Sequence, residues 1–262
     1  MRESSPLLAG LRQRVARLAA SGGPESHRAD GWLATGHDAL DAALGGGLAA
    51  GRVHEFFATD PLDAANAAAF AALLVLRGGG TAPLLWLRTS DAGRRAGQLY
   101  APGIADLGSD PDRLLLVEVS DAKALLACAN DAARCPGSAA VVVESWGRLP
   151  ALDLTAGRRL ALGARDAGVT LFFLRIDAEP VPSAAETRWS IAAAESREME
   201  AAAPGAPAFD LELLRWRAGP AGMRWRLEWN GDEQIFREAA LSGAVLPLSA
   251  RRAMVPRGAA AA

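Results

Sequence analysis

The sequence predicts an α/β fold, a mostly parallel sheet covered by helices on both faces, with a C-terminal antiparallel hairpin. The first observation behind this is an alternation between residue 35 and about 178. Apolar runs at Val53–Phe57, Leu84–Leu87, Leu114–Val119, Ala140–Glu144 and Val169–Ile176 are separated by helical stretches at 64–76, 91–99, 121–133 and 153–167. Strands that are apolar almost throughout are buried on both faces, as in a parallel sheet with helical crossovers. The second observation is punctuation. Asp121 and Asp153 stand where N-caps belong, and Gly168 follows a helix as a C-cap does. The third is a change of pattern after 180. A Pro-containing loop over 179–187 leads to a strand candidate at Arg188–Ala194. Phe209–Ala218 and Met223–Asn230 then flank the turn Gly219–Gly222, which reads as a hairpin. In its second arm Trp225, Leu227 and Trp229 share one face while Arg224, Arg226 and Glu228 share the other, the pattern of a half-buried strand.

Three parts follow. Residues 1–31 are an N-terminal helix and linker: Leu7, Leu8, Leu11, Val15 and Leu18 make one apolar stripe over 6–20, and 21–31 is turn-rich. Residues 32–238 form the main domain. Residues 239–262 are a tail ending in Pro, Arg and an alanine run, expected to be mobile when the protein is alone. Leu7, Leu11 and Val15 at one end, and Leu241, Leu246 and Leu248 at the other, are the candidate partner-binding residues. Such terminal segments dock on their own core or order on a partner.

Composition excludes several classes. At 262 residues and 50% apolar content the chain buries a sizeable core, and a net charge of −2 announces no overall affinity for nucleic acid. Two cysteines, Cys128 and Cys135, form no disulfide framework or metal pattern and suit a reducing compartment. Neither a secretory signal nor a membrane-length apolar run is present, so a cytoplasmic protein is expected. His27, His37 and His54 accompany no nucleophile set, and no catalytic residue, metal or cofactor is expected.

The most telling site is one that lacks its chemistry. Residues 51–66 read as strand, short loop and helix start, the layout of a phosphate-binding loop, G-x-x-x-x-G-K-[ST]. On that frame Ala58 and Asp63 replace the glycines, Ala64 the lysine and Ala65 the hydroxyl residue. Asp60 and Asp63 bring negative charge to the phosphate position. The lysine normally reaches the β- and γ-phosphates and the hydroxyl holds magnesium, so ATP hydrolysis is not expected. Glu144, closing an apolar strand, has the position of a magnesium-orienting acid. With no hydroxyl at Ala65 it reads as a vestige or a solvated strand end. Glu55 lies inside an apolar run and requires a partner or solvent.

Trp32, Trp86, Trp225 and Trp229 sit in apolar settings and read as core. Trp146 and Trp189 lie near strand ends and are the surface candidates, although packing is the commoner role for both. Arg94, Arg95, Arg148, Arg158, Arg159 and Arg188 could gather at one sheet edge, against the commoner outcome of separately solvated side chains.

The segment Thr35-Gly36, Leu40-Asp41, Leu44-Gly45-Gly46-Gly47-Leu48 and Gly51 is the most specific in the chain. Its glycines allow positive-φ turns that bring the backbone close beneath the sheet. A short helix, a triple glycine and a strand–loop–helix in that order resemble a RecA/KaiC-type core. With Leu99-Tyr100-Ala101-Pro102-Gly103, the run Asp110–Val117, Arg134-Cys135-Pro136 and the hairpin Leu213–Arg217 with Trp225–Trp229, the chain resembles the ImuA family over roughly residues 5–240. The resemblance implies a RecA-like accessory factor of damage-induced (SOS) mutagenesis and translesion synthesis. It also implies action with ImuB, a Y-family-like protein, with an error-prone C-family DNA polymerase, and a partner surface for ImuB towards the C-terminus. RecA is a further expected partner, docked through the N-terminal arm, and contact with DNA is expected to be indirect or weak. The protein would reach the nucleoid only when recruited to damage. Two alternatives remain at this point: an SOS-induced inhibitor of cell division, and an ATPase with an unorthodox loop.

Overall fold

The computed structural model describes residues 31–77, 81–196 and 205–239. The predicted N-terminal helix and linker up to residue 30, and the tail from 240, lie outside the described residues. Leu7, Leu11, Val15, Leu241, Leu246 and Leu248 lie there with them.

A small ribbon opens the domain: β1 (Trp32–Leu33) pairs antiparallel with β2 (Leu48–Ala49) around helix α1 (Asp38–Ala43). The remaining strands form one sheet: β3 (Val53–Ala58), β4 (Leu84–Thr89), β5 (Leu114–Val119), β6 (Ala140–Trp146), β7 (Leu171–Ile176), β8 (Thr187–Ala193), β9 (Ala208–Trp216), β10 (Arg224–Asn230) and β11 (Ile235–Glu238). Their order is β11-β10-β9-β8-β3-β7-β6-β4-β5. Pairing is parallel from β5 through to β8 and antiparallel from β8 to β11. The expected α/β architecture, with its closing hairpin, is therefore what forms.

Side-chain alternation divides the core in two. On one face Phe56, Trp86, Val142, Phe172 and Leu174 pack beneath α2 (Ala64–Leu76). On the other, Leu85, Leu87, Val141, Val143 and Phe173 meet α5 (Ala122–Ala132) and α6 (Leu154–Ala167). Both faces of these strands are apolar because each faces a helix layer. Asp121 caps α5 through Ala124 N, Asp153 caps α6 through Ala156 N, and Gly168 ends α6 at φ +68. Cys128 is buried on α5, and burial pushes its thiol up to about 11, the behaviour of a packing residue.

Several boundaries differ from expectation, most by one or two residues. The helix expected over 91–99 is α3 (Ser90–Ala96), ended by Gly97 at φ +77, and α4 (Ala101–Asp106) follows after a short loop. The strand expected from Val169 is β7 and begins at Leu171, because Gly168 still belongs to the preceding helix end. The β1–β2 ribbon and β11 have no counterpart in the sequence reading.

The triple glycine does what its spacing suggests. Gly45, Gly46 and Gly47 all have positive φ, and a Cβ on Gly47 would lie 2.4 Å from the Leu33 carbonyl oxygen. Only glycine lets β2 approach β1 so closely. The neighbouring Thr35-Gly36 and Asp41 form one clamp: the Asp41 carboxylate accepts from Thr35 N (2.8 Å), Thr35 Oγ1 (2.7 Å) and Gly36 N (3.0 Å). Arg77, at the end of α2, donates to Ala34 O and Gln234 O and so ties this segment to β11.

Candidate functional site

The loop between β3 and α2 is a compact turn held by its own carboxylates. Ala58 ends β3, fully buried. Asp60 caps a single 3-10 turn over Pro61–Asp63, accepting from Leu62 N at 2.9 Å, and its carbonyl accepts from Asp63 N. Asp63 reaches across to the neighbouring strand, where its Oδ1 accepts from Ala193 N at 2.8 Å. Ala64 and Ala65 then open α2. In a phosphate loop the backbone N–H groups converge on an anion. Here Leu62 N donates to a carboxylate of the loop itself, and the helix begins with two methyl groups where lysine and hydroxyl would stand.

Glu144 is not the solvated strand end considered above. It is 2% exposed, and its carboxylate accepts two indole N–H groups, Trp86 Nε1 at 2.7 Å and Trp146 Nε1 at 2.9 Å. Trp86 lies on β4, beside β6, so parallel pairing places its indole next to the acid. Beside this cluster is a mostly apolar cavity of about 500 Å³ between α2 and the α3–α4 segment, lined among others by Ala65, Ala69, Leu99, Ile104 and Trp86. Arg88 closes one side. It is 1% exposed, donates twice to Glu118 Oε1 (2.9 and 2.7 Å), and holds Gly97 O at 2.9 Å.

Glu55 has the partners its position demanded. Its Oε2 accepts from Ser183 Oγ at 2.7 Å and Arg188 Nε at 3.0 Å. Arg175 lies near, 5.8 Å from the Phe57 ring, and burial lowers its pKa while Glu55 opposes the shift. His54, one residue earlier, is enclosed. Trp189 Nε1 donates to Thr187 Oγ1, which lies 2.7 Å from His54 Nδ1, while His54 Nε2 lies 2.9 Å from Ala49 O. With the Thr187 proton directed at Nδ1, Nε2 carries the ring proton to Ala49. Burial lowers the His54 pKa to about 4, so the ring is neutral.

This arrangement settles the tryptophans. Trp189 is 2% exposed and packs on Trp225 at 5.7 Å, so it belongs to the core and is not a surface platform. Trp146 is half-buried and spoken for by Glu144.

The six arginines considered together in the sequence do not gather. Arg94 and Arg95 pair with Asp91 on α3, and Arg188 pairs with Glu55. Only Arg158 enters a basic groove, and there it meets Arg52, Arg165, Arg215 and Arg217. Two signals for this grouping were present: Arg158 and Arg165 lie seven apart on one helix face, and Arg215 and Arg217 share one side at the end of β9. Nothing in the sequence brought the two pairs together, because parallel crossover and strand order do that. Among the described residues no three His, Cys, Asp or Glu side chains form a metal-binding group, and no helix is long and apolar enough to cross a membrane.

No family model matches the chain. Protein ImuA from Caulobacter vibrioides, in both strain NA1000 / CB15N and strain ATCC 19089 / CIP 103742 / CB 15, is 34% identical over 208 residues, covering 72% of this chain and 80% of that protein. The chain belongs to the ImuA family. Among solved structures, the RadB recombinase matches with a TM-score of 0.54 at 17% identity, over 79% of this chain and 100% of that one. At that identity the likeness concerns the fold, and it makes the ImuA-family domain RecA-like. Family and fold together fit an accessory role in DNA-damage-induced mutagenesis.

Proposed function

We propose that this ImuA-family chain is a non-catalytic docking factor that binds ImuB, and also RecA, to support error-prone translesion synthesis. The observation that carries the reading is the state of the nucleotide-loop position. Its charges are negative, its lysine and hydroxyl are alanines, and Asp60 and Asp63 bond within the protein. Glu144 supports it, since both its oxygens accept indole protons. A RecA-like domain arranged in this way offers surfaces rather than turnover, and partner exchange would follow binding equilibria instead of a hydrolysis cycle.

The test is a pull-down of the tagged full chain with purified ImuB and RecA, alongside a chain ending at Ala239. That end point keeps the bond from Ala239 N to Arg226 O, so β11 stays anchored. Retention of ImuB by the full chain and its loss on truncation supports the reading and assigns docking to residues 240–262. Magnesium-dependent ATP turnover that disappears on changing Glu144 overturns the non-catalytic part. No retention of either partner overturns the docking part.

A further inference from the structure

We propose that the groove along α6 binds an acidic, leucine-rich segment of a partner protein. The groove encloses about 640 Å³ and is lined by five arginines, Arg52, Arg158, Arg165, Arg215 and Arg217, against one acidic residue, Glu186. The whole chain carries a net charge of −2, so this is a local inversion of sign. Among the described residues, other surface arginines near the hairpin are matched: Arg224 with Glu212, Arg226 with Asp210, Arg237 with Glu233. In the groove only Arg165 has a carboxylate within ion-pair range, its exposed neighbour Asp166 at 3.4 Å. Like charges held together without counter-charges repel one another and raise the local potential. An anionic ligand relieves that.

Two features choose the class of anion. Leu154 and Leu162, 46% and 50% exposed, line the same groove, and Val53 and Ala161 continue its apolar floor. Among the described residues, no aromatic ring and no Asn or Gln lines it. Base stacking needs aromatic faces, and reading of base edges draws on amide side chains as well as arginine. Guanidinium groups flanking exposed leucines instead match a segment with carboxylates on one side and aliphatic residues on the other. From Leu154 to Arg165 the face spans twelve residues, on the order of 16 Å at the rise of an α-helix, enough for three turns of a bound helix.

The chain's own ends are poor occupants. The first twenty residues hold Arg2, Arg12, Arg14 and Arg17 against Glu3, and after Glu238 there are Arg251, Arg252 and Arg257 with no acid. Basic segments are repelled from this groove, which leaves a partner of opposite charge. The inference shares with the proposed function only the idea of protein docking, and it concerns a different surface from the C-terminal tail.

The experiment is fluorescence anisotropy with the full chain and three probes. One is a fluorescein-labelled 12-residue peptide with glutamates and leucines at helical spacing. The others are its lysine-for-glutamate counterpart and a labelled twelve-nucleotide oligothymidylate. The acidic peptide is expected to bind, and to weaken as salt rises from low to physiological ionic strength. The double variant Arg158→Glu/Arg217→Glu is expected to weaken it by about tenfold or more, since reversing charges turns attraction into repulsion. Leu162→Ser should weaken it as well, which a purely ionic groove would not predict, because the change removes apolar contact without altering charge. All three positions are exposed, and an unchanged melting curve for each variant separates lost binding from lost folding. Equal binding of both peptides, or an acidic-peptide affinity untouched by the variants, overturns the proposal. So does oligothymidylate that binds and displaces the peptide, which would make the groove a nucleic-acid surface. Loss of ImuB binding on tail removal bears on the proposed function alone and leaves this result unaffected.

Discussion

Replacing Glu144 separates a structural acid from a catalytic one. The carboxylate serves two indole donors, and Trp86 is fully buried, so Glu144→Ala leaves the Trp86 N–H without an acceptor. An unsatisfied buried donor costs about 1–3 kcal/mol, and loss of a bond to a charged group belongs to the same range. Trp146 is only half-buried and recovers much of its bond from water. The removed side chain also leaves space in a packed layer. Together these predict a loss of about 2–4 kcal/mol, or a fall in melting temperature of roughly 5–15 °C for a domain of this size. Glu144→Gln keeps one acceptor oxygen but turns an NH2 group towards the second indole. A smaller loss of about 1–2 kcal/mol follows. Thermal melting followed by tryptophan fluorescence reads both, because the two bonded side chains are among the seven tryptophans of the chain. A Glu144→Ala protein as stable as the parent, with its emission unchanged, would refute the argument that this acid is held for structure.

Other consequences are equally direct. Gly47→Ala places a Cβ against the Leu33 carbonyl at a φ of +119, and urea unfolding should show a loss of about 2–4 kcal/mol. Asp41→Ala removes the acceptor for three donors around the fully buried Thr35, and a loss of about 2–3 kcal/mol is expected in the same assay. His54 is buried neutral with a pKa lowered to about 4, while the unfolded chain takes up its proton near 6.5. Its contribution is therefore complete above about pH 6.5 and lost as pH falls towards 4, by about 3 kcal/mol; His54→Gln should flatten that part of the stability–pH curve. On the non-catalytic reading, millimolar ATP with magnesium leaves the melting temperature unchanged. A site holding nucleotide at a hundredth of the added concentration would stabilise the fold by about 2.7 kcal/mol, several degrees.

The core of the fold was legible because its signals are local. Apolar runs four to eight residues long, helix caps at Asp121 and Asp153, and the Gly168 stop each read from a short window. The glycine segment was legible for the same reason, since positive φ is a property of single residues. What stayed hidden is either too short or too distant. The β1–β2 ribbon has two residues a side, α4 begins around a proline, and β11 has four residues, so none shows a period. The buried partner of Glu144, Trp86, lies 58 residues away and those of Glu55 lie 128 and 133 away. Charge in an apolar strand announced that Glu55 must be paired, but only the order of β3, β7 and β8 decides with what. The basic groove draws its residues from 52 to 217 for the same reason.

One physical contrast runs through these residues. A phosphate loop that turns over must keep backbone N–H groups and a buried carboxylate available to a ligand, and both are costly to bury unmatched. In this chain Asp60 satisfies its own turn, Asp63 ties the loop to β8, and Glu144 holds two indoles. These three carboxylates are thus matched without a ligand. The groove on α6 is the reverse: four of its five arginines have no carboxylate within ion-pair range among the described residues, and its leucines face solvent. Unmatched charge is tolerable there because water solvates it, yet it remains available to a partner. On the proposed reading, a RecA-like domain whose loop carboxylates bond within the protein, and whose unmatched arginines lie on its outer face, serves to be bound rather than to turn over.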